Sequence, residues 1–344
     1  MHVKYTYQRL ISYAPISLYI ELQNVEIVSM SIIYYLSIFF ALYIFQLIYF
    51  KVADTFNIID KPNQRSSHTK VTLRGGGVVF YAGALAFYIS SGFEYSFFML
   101  GLTLIAAVSF ADDIRPLSSK LRLPVHFAAM ALLFYEWGLF EQPWYFALLA
   151  FILSVGIVNA YNFMDGINGI TGAYSVAVLL SLLYVNISVQ PFVANEFIYL
   201  MLMAVMVFNF FNFRTKARCF AGDVGSVSIA FLIVFLLGKL ILSTGNFTYI
   251  LFLGVYGVDA VLTIVHRILL KENILEAHRK HVYQLMANEL RMPHLWVSVI
   301  YALTQLFISY WVVNLPILAA ALVLFLGVSY ILFKRKYFHL HLSN

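Results

Sequence analysis

Charge is scarce in this sequence: Asp, Glu, Lys and Arg make up only 11% of its 344 residues. A soluble domain carries roughly 25%, so an ordinary water-soluble globule is excluded. Cysteine is scarcer still. The single Cys219 rules out an internal disulfide framework and a cysteine-rich metal site. Solenoid-type repeats, low-complexity tracts and a cleavable signal peptide are also missing, since the first apolar run is of spanning length and has no small-residue cleavage site.

What is present is apolar surface. Hydrophobic residues reach 62%, the mean hydropathy is +0.84, and the apolar residues come in runs of about 17–20, the length that crosses a bilayer as helix. Short alternating segments, the mark of a β-barrel, are not seen. The expected fold is therefore all-α and polytopic, with about eleven spans, near 31–50, 77–93, 95–111, 123–140, 143–160, 169–187, 197–213, 224–242, 249–268, 294–313 and 315–333. Only Gly92-Phe93-Glu94 separates the second from the third. Residues 1–30 show no clear span and read as an extension: disordered, upstream of a true start at Met30, or a short amphipathic surface helix. Residues 31–335 form one transmembrane domain and 336–344 a short tail.

The cations fix an orientation. Nineteen of the 22 lysines and arginines fall in loops of one parity, including Lys51 to Arg74, Arg115 to Arg122, Arg214 to Arg218, Arg267 to Arg291 and Lys334 to Lys336. The opposite loops contain none, with Lys4 and Arg9 in the extension and Lys239 inside a span. Cationic loops stay cytoplasmic, which puts the N-terminus outside and the C-terminus inside. The net charge of +6 thus reflects topology, and nucleic acid is not an expected partner.

Four polar stretches share that face. Asn159-x-x-Asn162-x-x-Asp165-Gly166-x-x-Gly169 sits between two apolar runs, and its third-residue spacing would place three polar side chains near one helix face; a helix cap and loop would use the same letters. Asp112-Asp113 ends the third span, where paired carboxylates repel, oppose the helix dipole and call for a cation. Phe220-x-Gly222-Asp223-x-Gly225-Ser226 follows three cations and combines an aromatic ring, a carboxylate and a flexible backbone; a simple helix cap is the alternative. His278-Arg279-Lys280-His281 lacks a third ligand for zinc and suits a diphosphate clamp or a solvated helix. Arg65, and Arg74 with Gly75, Gly76 and Gly77, would cradle a phosphate at a helix entrance or anchor the loop to the membrane surface.

In this order and on one face, these motifs resemble the polyprenyl-phosphate N-acetylhexosamine-1-phosphate transferases, from about residue 31 to 335. The resemblance implies a Mg2+-dependent enzyme of the bacterial inner membrane, with Mn2+ as a substitute ion. It would move a sugar 1-phosphate from a UDP-N-acetylhexosamine to undecaprenyl phosphate and release UMP. It implies Asp223 and Asp112 as metal ligands, and Asp112, Asp113, Asp165, His278 and His281 as the catalytic group. Asn159, Asn162, Phe220, Arg279, Lys280, Arg65 and Gly76 would contact substrate. A homodimer is compatible with this reading. Asn168 stands where many members have an acid and Leu73 where a proline is common. The His-Arg-Lys-His loop departs from the three consecutive histidines of the muramoyl-pentapeptide branch, which remains the alternative. A secondary transporter would need ionisable groups at mid-membrane and repeated halves; only His126, Lys239 and Asp259 lie within spans.

Overall fold

The structure, a computed structural model, describes residues 16–60, 71–273 and 279–337, with side chains from residue 31 on. Its helices match the apolar runs one for one. They are α1 (Ile16–Thr55), α2 (Val78–Ser90), α3 (Ser96–Ile114), α4 (Ser119–Glu136), α5 (Trp144–Met164) and α6 (Ile170–Ser188). After these come α7 (Asn195–Asn212), α8 (Gly222–Thr244), α9 (Gly254–Leu269), α10 (His294–Asn314) and α11 (Pro316–Tyr337). Among the described residues nine segments are long and apolar enough to cross a membrane. The two that fall short do so for different reasons. Helix α2 has 13 residues, below the roughly 20 that a bilayer needs. Helix α4 carries Lys120, Arg122 and Glu136 on only 18 residues.

Helix α1 runs back to Ile16, into the stretch read as an extension. The short hinge between α2 and α3 is real. Gly92, Phe93 and Tyr95 all take left-handed backbone angles, and the Phe93 N–H closes the turn on the Tyr88 carbonyl at 2.8 Å. Glu136 then caps α3, its carboxylate accepting from the Phe97 and Phe98 amides at 2.9 and 3.1 Å. Those amides are helix-terminal donors with no partner inside the helix.

Helix α8 is the axis of the bundle. It is apolar on all sides and mostly buried, as expected of a helix surrounded by others. Helices α2, α3 and α5 pack directly on it. At its far end the rings of Phe98 and Phe235 stack at 4.1 Å and those of Phe87 and Phe197 at 4.3 Å, which adds directional contact to the buried area. At its near end, packing is by backbone. The only strands described are Ile59–Asp60 and Thr72–Leu73, paired antiparallel. From there the chain runs beside residues 219–221: Phe220 N–H donates to Leu73 O, Gly76 N–H to Phe220 O and Gly77 N–H to Ala221 O, at 2.8–3.0 Å.

This approach requires two glycines face to face. A Cβ on Gly225 would lie 2.6 Å from the Gly77 Cα, a distance no side chain tolerates. Gly225→Ala is therefore expected to push α8 off the Gly77 segment, costing about 1–3 kcal/mol, whereas Gly257→Ala, on α9 with open space around it, should be neutral or mildly stabilising. Thermal unfolding of the two variants in detergent checks this; equal midpoints would show that the glycine contact carries no stability.

Candidate active site

The ends of α3, α5 and α7, the starts of α4 and α8, and the Arg74–Gly77 segment meet at one end of the bundle. At its centre Asp113, with a fully buried side chain, accepts from the backbone amides of Asp223 at 2.8 Å and Val224 at 2.9 Å. Both are first-turn donors of α8, where the helix dipole favours an anion. The Arg74 Nε sits 2.6 Å from the same carboxylate. Gly222 makes the contact possible: it has φ +72°, and a Cβ there would lie 2.5 Å from the Asp113 Oδ2. Asp113 thus ends one helix against the favourable pole of another.

Asp112 and Asp223 form the open part of the cluster. Asp112 accepts from Leu117 N–H at 2.6 Å and pairs with Arg122 Nη1 at 3.0 Å. Asp223 pairs with Arg74 Nη2 at 3.0 Å and lies 3.8 Å from the same Arg122 nitrogen. The two carboxylates are thus gathered around one arginine nitrogen. Burial works against the charge of Arg74, but Asp113 and Asp223 outweigh it and raise its pKa above the usual arginine value. Among the described residues no three His, Cys, Asp or Glu groups converge as a metal cage. Two adjacent carboxylates with hard oxygen donors do suit an ion that completes its shell with water and phosphate, as Mg2+ does; Asp112 and Asp223 are the residues that could hold it.

The stretch after α5 divides its polar residues between tasks. Asn162 Nδ2 donates to Ser226 Oγ on α8 at 3.1 Å, and Asp165 accepts from Thr171 Oγ1 at 2.6 Å. Asn159 does not join them. It is exposed and its amide returns to the Val155 carbonyl of its own helix at 2.9 Å. At 100° per residue, six positions turn a side chain by about 120°, so the third-residue spacing does not hold all three on one face. Asn168 brackets the neighbouring loop, donating to the carbonyls of Arg214 at 2.8 Å and Thr215 at 3.3 Å. Gly169 N–H donates to Asn212 Oδ1, and Asn212 donates on to Cys219 O, both at 2.8 Å.

Gly76 is not a phosphate cradle. Its N–H is used by Phe220 O, and its missing side chain makes room for Cys219, whose Sγ would be 2.4 Å from a Cβ. Burial raises the Cys219 thiol pKa, so this cysteine is packing rather than chemistry. Phe220 is half-buried beside that pairing. His281 is buried, with its Nδ1 3.1 Å from Asp259, so it is held by a carboxylate of α9 rather than presented at the surface. Lys280 pairs with Glu272, and Arg279 lies 3.6 Å from Glu289; the cationic loop is tied by its own acids. His278 and Arg65 lie outside the described residues. Three partners escaped the sequence reading: Arg74 as an ion partner, Arg122, noticed only for its contribution to topology, and Asp259, noticed only as a charge within a span.

Asp165 gives a pH-dependent signature. Burial, with Asp223 and Asp60 adding to it, pushes its carboxyl up to about 6, against help from Thr171 and Arg74. The folded chain then holds this proton more tightly than the unfolded chain does, so the group costs stability as pH rises from the ordinary 3.8 through 6, and the full penalty stands above that. Asp165→Asn keeps the acceptor for Thr171. Its unfolding midpoint should exceed the parent's by a few degrees at neutral pH, and the gap should close as the buffer is taken down toward pH 4. A gap independent of pH would remove the burial argument.

The sequence is also similar to known proteins. Residues 95–241 match glycosyl transferase family 4, a stretch that includes Asp112, Asp113, Asn162, Asp165 and Asp223. A Bacillus subtilis protein described as a probable undecaprenyl-phosphate N-acetylglucosaminyl 1-phosphate transferase is 27% identical over 259 residues, covering 69% of this chain and 72% of that one. A Salmonella typhi undecaprenyl-phosphate alpha-N-acetylglucosaminyl 1-phosphate transferase is 27% identical over 223 residues, 59% of this chain and 60% of its own length. A Dictyoglomus thermophilum phospho-N-acetylmuramoyl-pentapeptide-transferase is 28% identical over 173 residues, 45% of this chain and 55% of that protein. With its carboxylates and glycines gathered as described, the chain is similar over residues 95–241 to glycosyl transferase family 4, and over a longer stretch to the Bacillus subtilis protein.

Proposed function

We propose that this protein transfers an N-acetylhexosamine 1-phosphate, GlcNAc 1-phosphate being the first candidate, from a UDP-sugar to undecaprenyl phosphate and releases UMP. The reaction takes place at the cytoplasmic face of the bacterial inner membrane, as the first step of a lipid-linked surface glycan. The observation that carries the proposal is the pairing of Asp112 and Asp223 around one arginine nitrogen at the end of an apolar bundle. Asp113 serves to join the helices, but Asp223 makes no such joint, and carboxylates at a membrane boundary are costly.

The chemistry asks little of a nucleophile. A phosphate monoester has a second pKa of about 6 and is mostly dianionic at neutral pH. The obstacle is the approach of two anions, which makes phosphoryl transfer a matter of positioning and charge. Asp112 and Asp223 would hold Mg2+, which when bound supplies charge neutralisation for the diphosphate. Arg74 and Arg122 already lie against these carboxylates, and Arg122, which the buried Asp113 does not hold, can turn toward phosphate oxygens. Asp113 fixes the first turn of α8 and so the direction of Asp223. Asn162, bonded to Ser226 in the first turn of α8, and Asp165, just after the end of α5, would contact the nucleotide beside Phe220. A carboxylate of the Asp112 pair can take the last acceptor proton where one remains.

Location supports the same reading. The acceptor's tail stays in the bilayer while its phosphate reaches the face where the cationic loops gather, and the charge rule makes that face cytoplasmic. Purified protein in undecaprenyl-phosphate micelles with Mg2+ should exchange radiolabelled UMP into UDP-GlcNAc. Exchange into UDP-N-acetylmuramoyl-pentapeptide alone would move the chain to the muramoyl branch, and none with any UDP-hexosamine would reject the proposal. Asp223→Asn should lower kcat on the order of a hundredfold or more without unfolding the protein; near-normal rates would take Asp223 out of the ion site.

A further inference from the structure

Asp259 is a carboxylate inside the bundle to which the transfer chemistry assigns no role. It is 2% exposed and sits on α9, in the turn-and-a-half after Gly254. An isolated carboxylate in such a place is expensive unless donors surround it. Here donors arrive from three elements. His281 Nδ1 and Val282 N–H lie 3.1 Å from Oδ1, Thr263 Oγ1 3.3 Å from the same oxygen, and Tyr283 N–H 3.4 Å and Tyr301 Oη 2.6 Å from Oδ2. Three of the five donors belong to consecutive residues of one loop, 281 to 283. The carboxylate therefore fixes a backbone stretch, not one side chain, and it forces the His281 Nδ1 to be the protonated ring nitrogen.

The loop carries that order to the candidate site. Tyr283 is fully buried, and its hydroxyl donates to the Phe163 carbonyl at 2.9 Å. Phe163 is in the last turn of α5, where carbonyls have no partner within the helix. The same hydroxyl lies 2.2 Å from where a Cβ of Gly166 would stand, so Gly166 is glycine because Tyr283 covers it. Asp165 lies between these two contacts. The chain of contacts runs from α9 through His281-Val282-Tyr283 to the stretch that presents Asn162 and Asp165.

We infer that Asp259 is a positioning residue that locks the His281–Tyr283 loop onto the Phe163–Gly166 turn, and that this lock sets the affinity for the UDP-sugar donor and not for the lipid acceptor. The donor spans the two loops; the acceptor enters by its phosphate at Asp112 and Asp223. The inference rests on the proposed transfer for the identity of the donor.

The test uses full-length protein in detergent with the UMP exchange and transfer assays, taking the wild type as its internal standard. Asp259→Asn keeps the size but turns an amide N–H toward the donors of the loop. It should raise the KM for UDP-GlcNAc by about 10- to 100-fold, the range for losing hydrogen bonds to a charged group, with the KM for undecaprenyl phosphate unchanged. Tyr283→Phe keeps the ring and removes only the hydroxyl, and should raise the donor KM by about three- to tenfold with little change in thermal midpoint. The double variant should be no worse than Asp259→Asn alone, because both act on one contact chain. Asp259→Glu, which retains the charge, should recover part of the donor affinity. If the wild type transfers sugar phosphate and the variants change both KM values together, or neither, Asp259 is a core acid only and the inference is overturned. If the wild type binds no UDP-sugar, as read by isothermal titration, the inference fails together with the proposed function.

Discussion

The structure depends on one carboxylate placed against the wrong end of one helix and the right end of another. Asp113 is at the C-terminus of α3, where a helix dipole repels it, yet its oxygens meet the first amides of α8, where the dipole attracts it. Arg74 closes the other side at 2.6 Å. Two helices and an extended segment are thereby joined at one point, and the joint sits directly beneath Asp223. The direction of the Asp223 side chain is therefore set by the same contact that holds the bundle together at this end. A hydrophobic joint of equal strength would pack the helices but could not orient an amide-bearing first turn.

Glycine supplies the second constraint. The approach of Gly77 to Gly225, and of Asp113 to Gly222, leaves no room for a Cβ at these positions. In the motif Phe220-x-Gly222-Asp223-x-Gly225-Ser226, the glycines are the means by which neighbouring chain comes within hydrogen-bonding distance of Asp223. The motif is in effect half of a contact surface whose other half is Arg74-Gly75-Gly76-Gly77. Read alone, the Arg74–Gly77 half looks like a phosphate loop. Together they use their amides on each other, which is why Gly76 has none to offer a ligand.

Much of this was legible in the chain because hydropathy and charge act locally. Each of the eleven apolar runs became a helix, and the hinge of Gly92-Phe93-Glu94 was recognisable because left-handed backbone needs such a break. The acids of the cluster were legible as well, since a membrane boundary penalises them visibly. Their partners were not. Arg122 looked like a topology signal and Arg74 like part of a phosphate loop or an anchor, and nothing in a linear pattern tells a screening arginine from an anchoring one. Asp259 was hidden for the opposite reason: four of its five donors come from residues 22 to 42 positions away, beyond any local spacing rule. Asn159 was misplaced because a period of three drifts around a helix of 3.6 residues per turn.

The charge balance of the cluster gives the last step. Asp112, Asp113 and Asp223 meet Arg74 and Arg122 within 4 Å, three negative groups against two positive. Such a cluster is one charge short of neutral, so it can rest without an ion and still repel an incoming phosphate. A divalent cation, if Asp112 and Asp223 hold one as proposed, would reverse the sign and make the same place attractive to anionic substrates. With a trivalent acid set and no arginines, an ion would bind tightly but leave little positive charge for the substrates; with more arginines, no ion would be drawn in. The arginines also lie against the two carboxylates that would hold an ion, so an ion bound there would compete with both guanidinium groups. On this argument Arg122, which reaches both Asp112 and Asp223, would be the group whose movement couples ion binding to substrate charge, while Arg74, held by the buried Asp113, keeps its place.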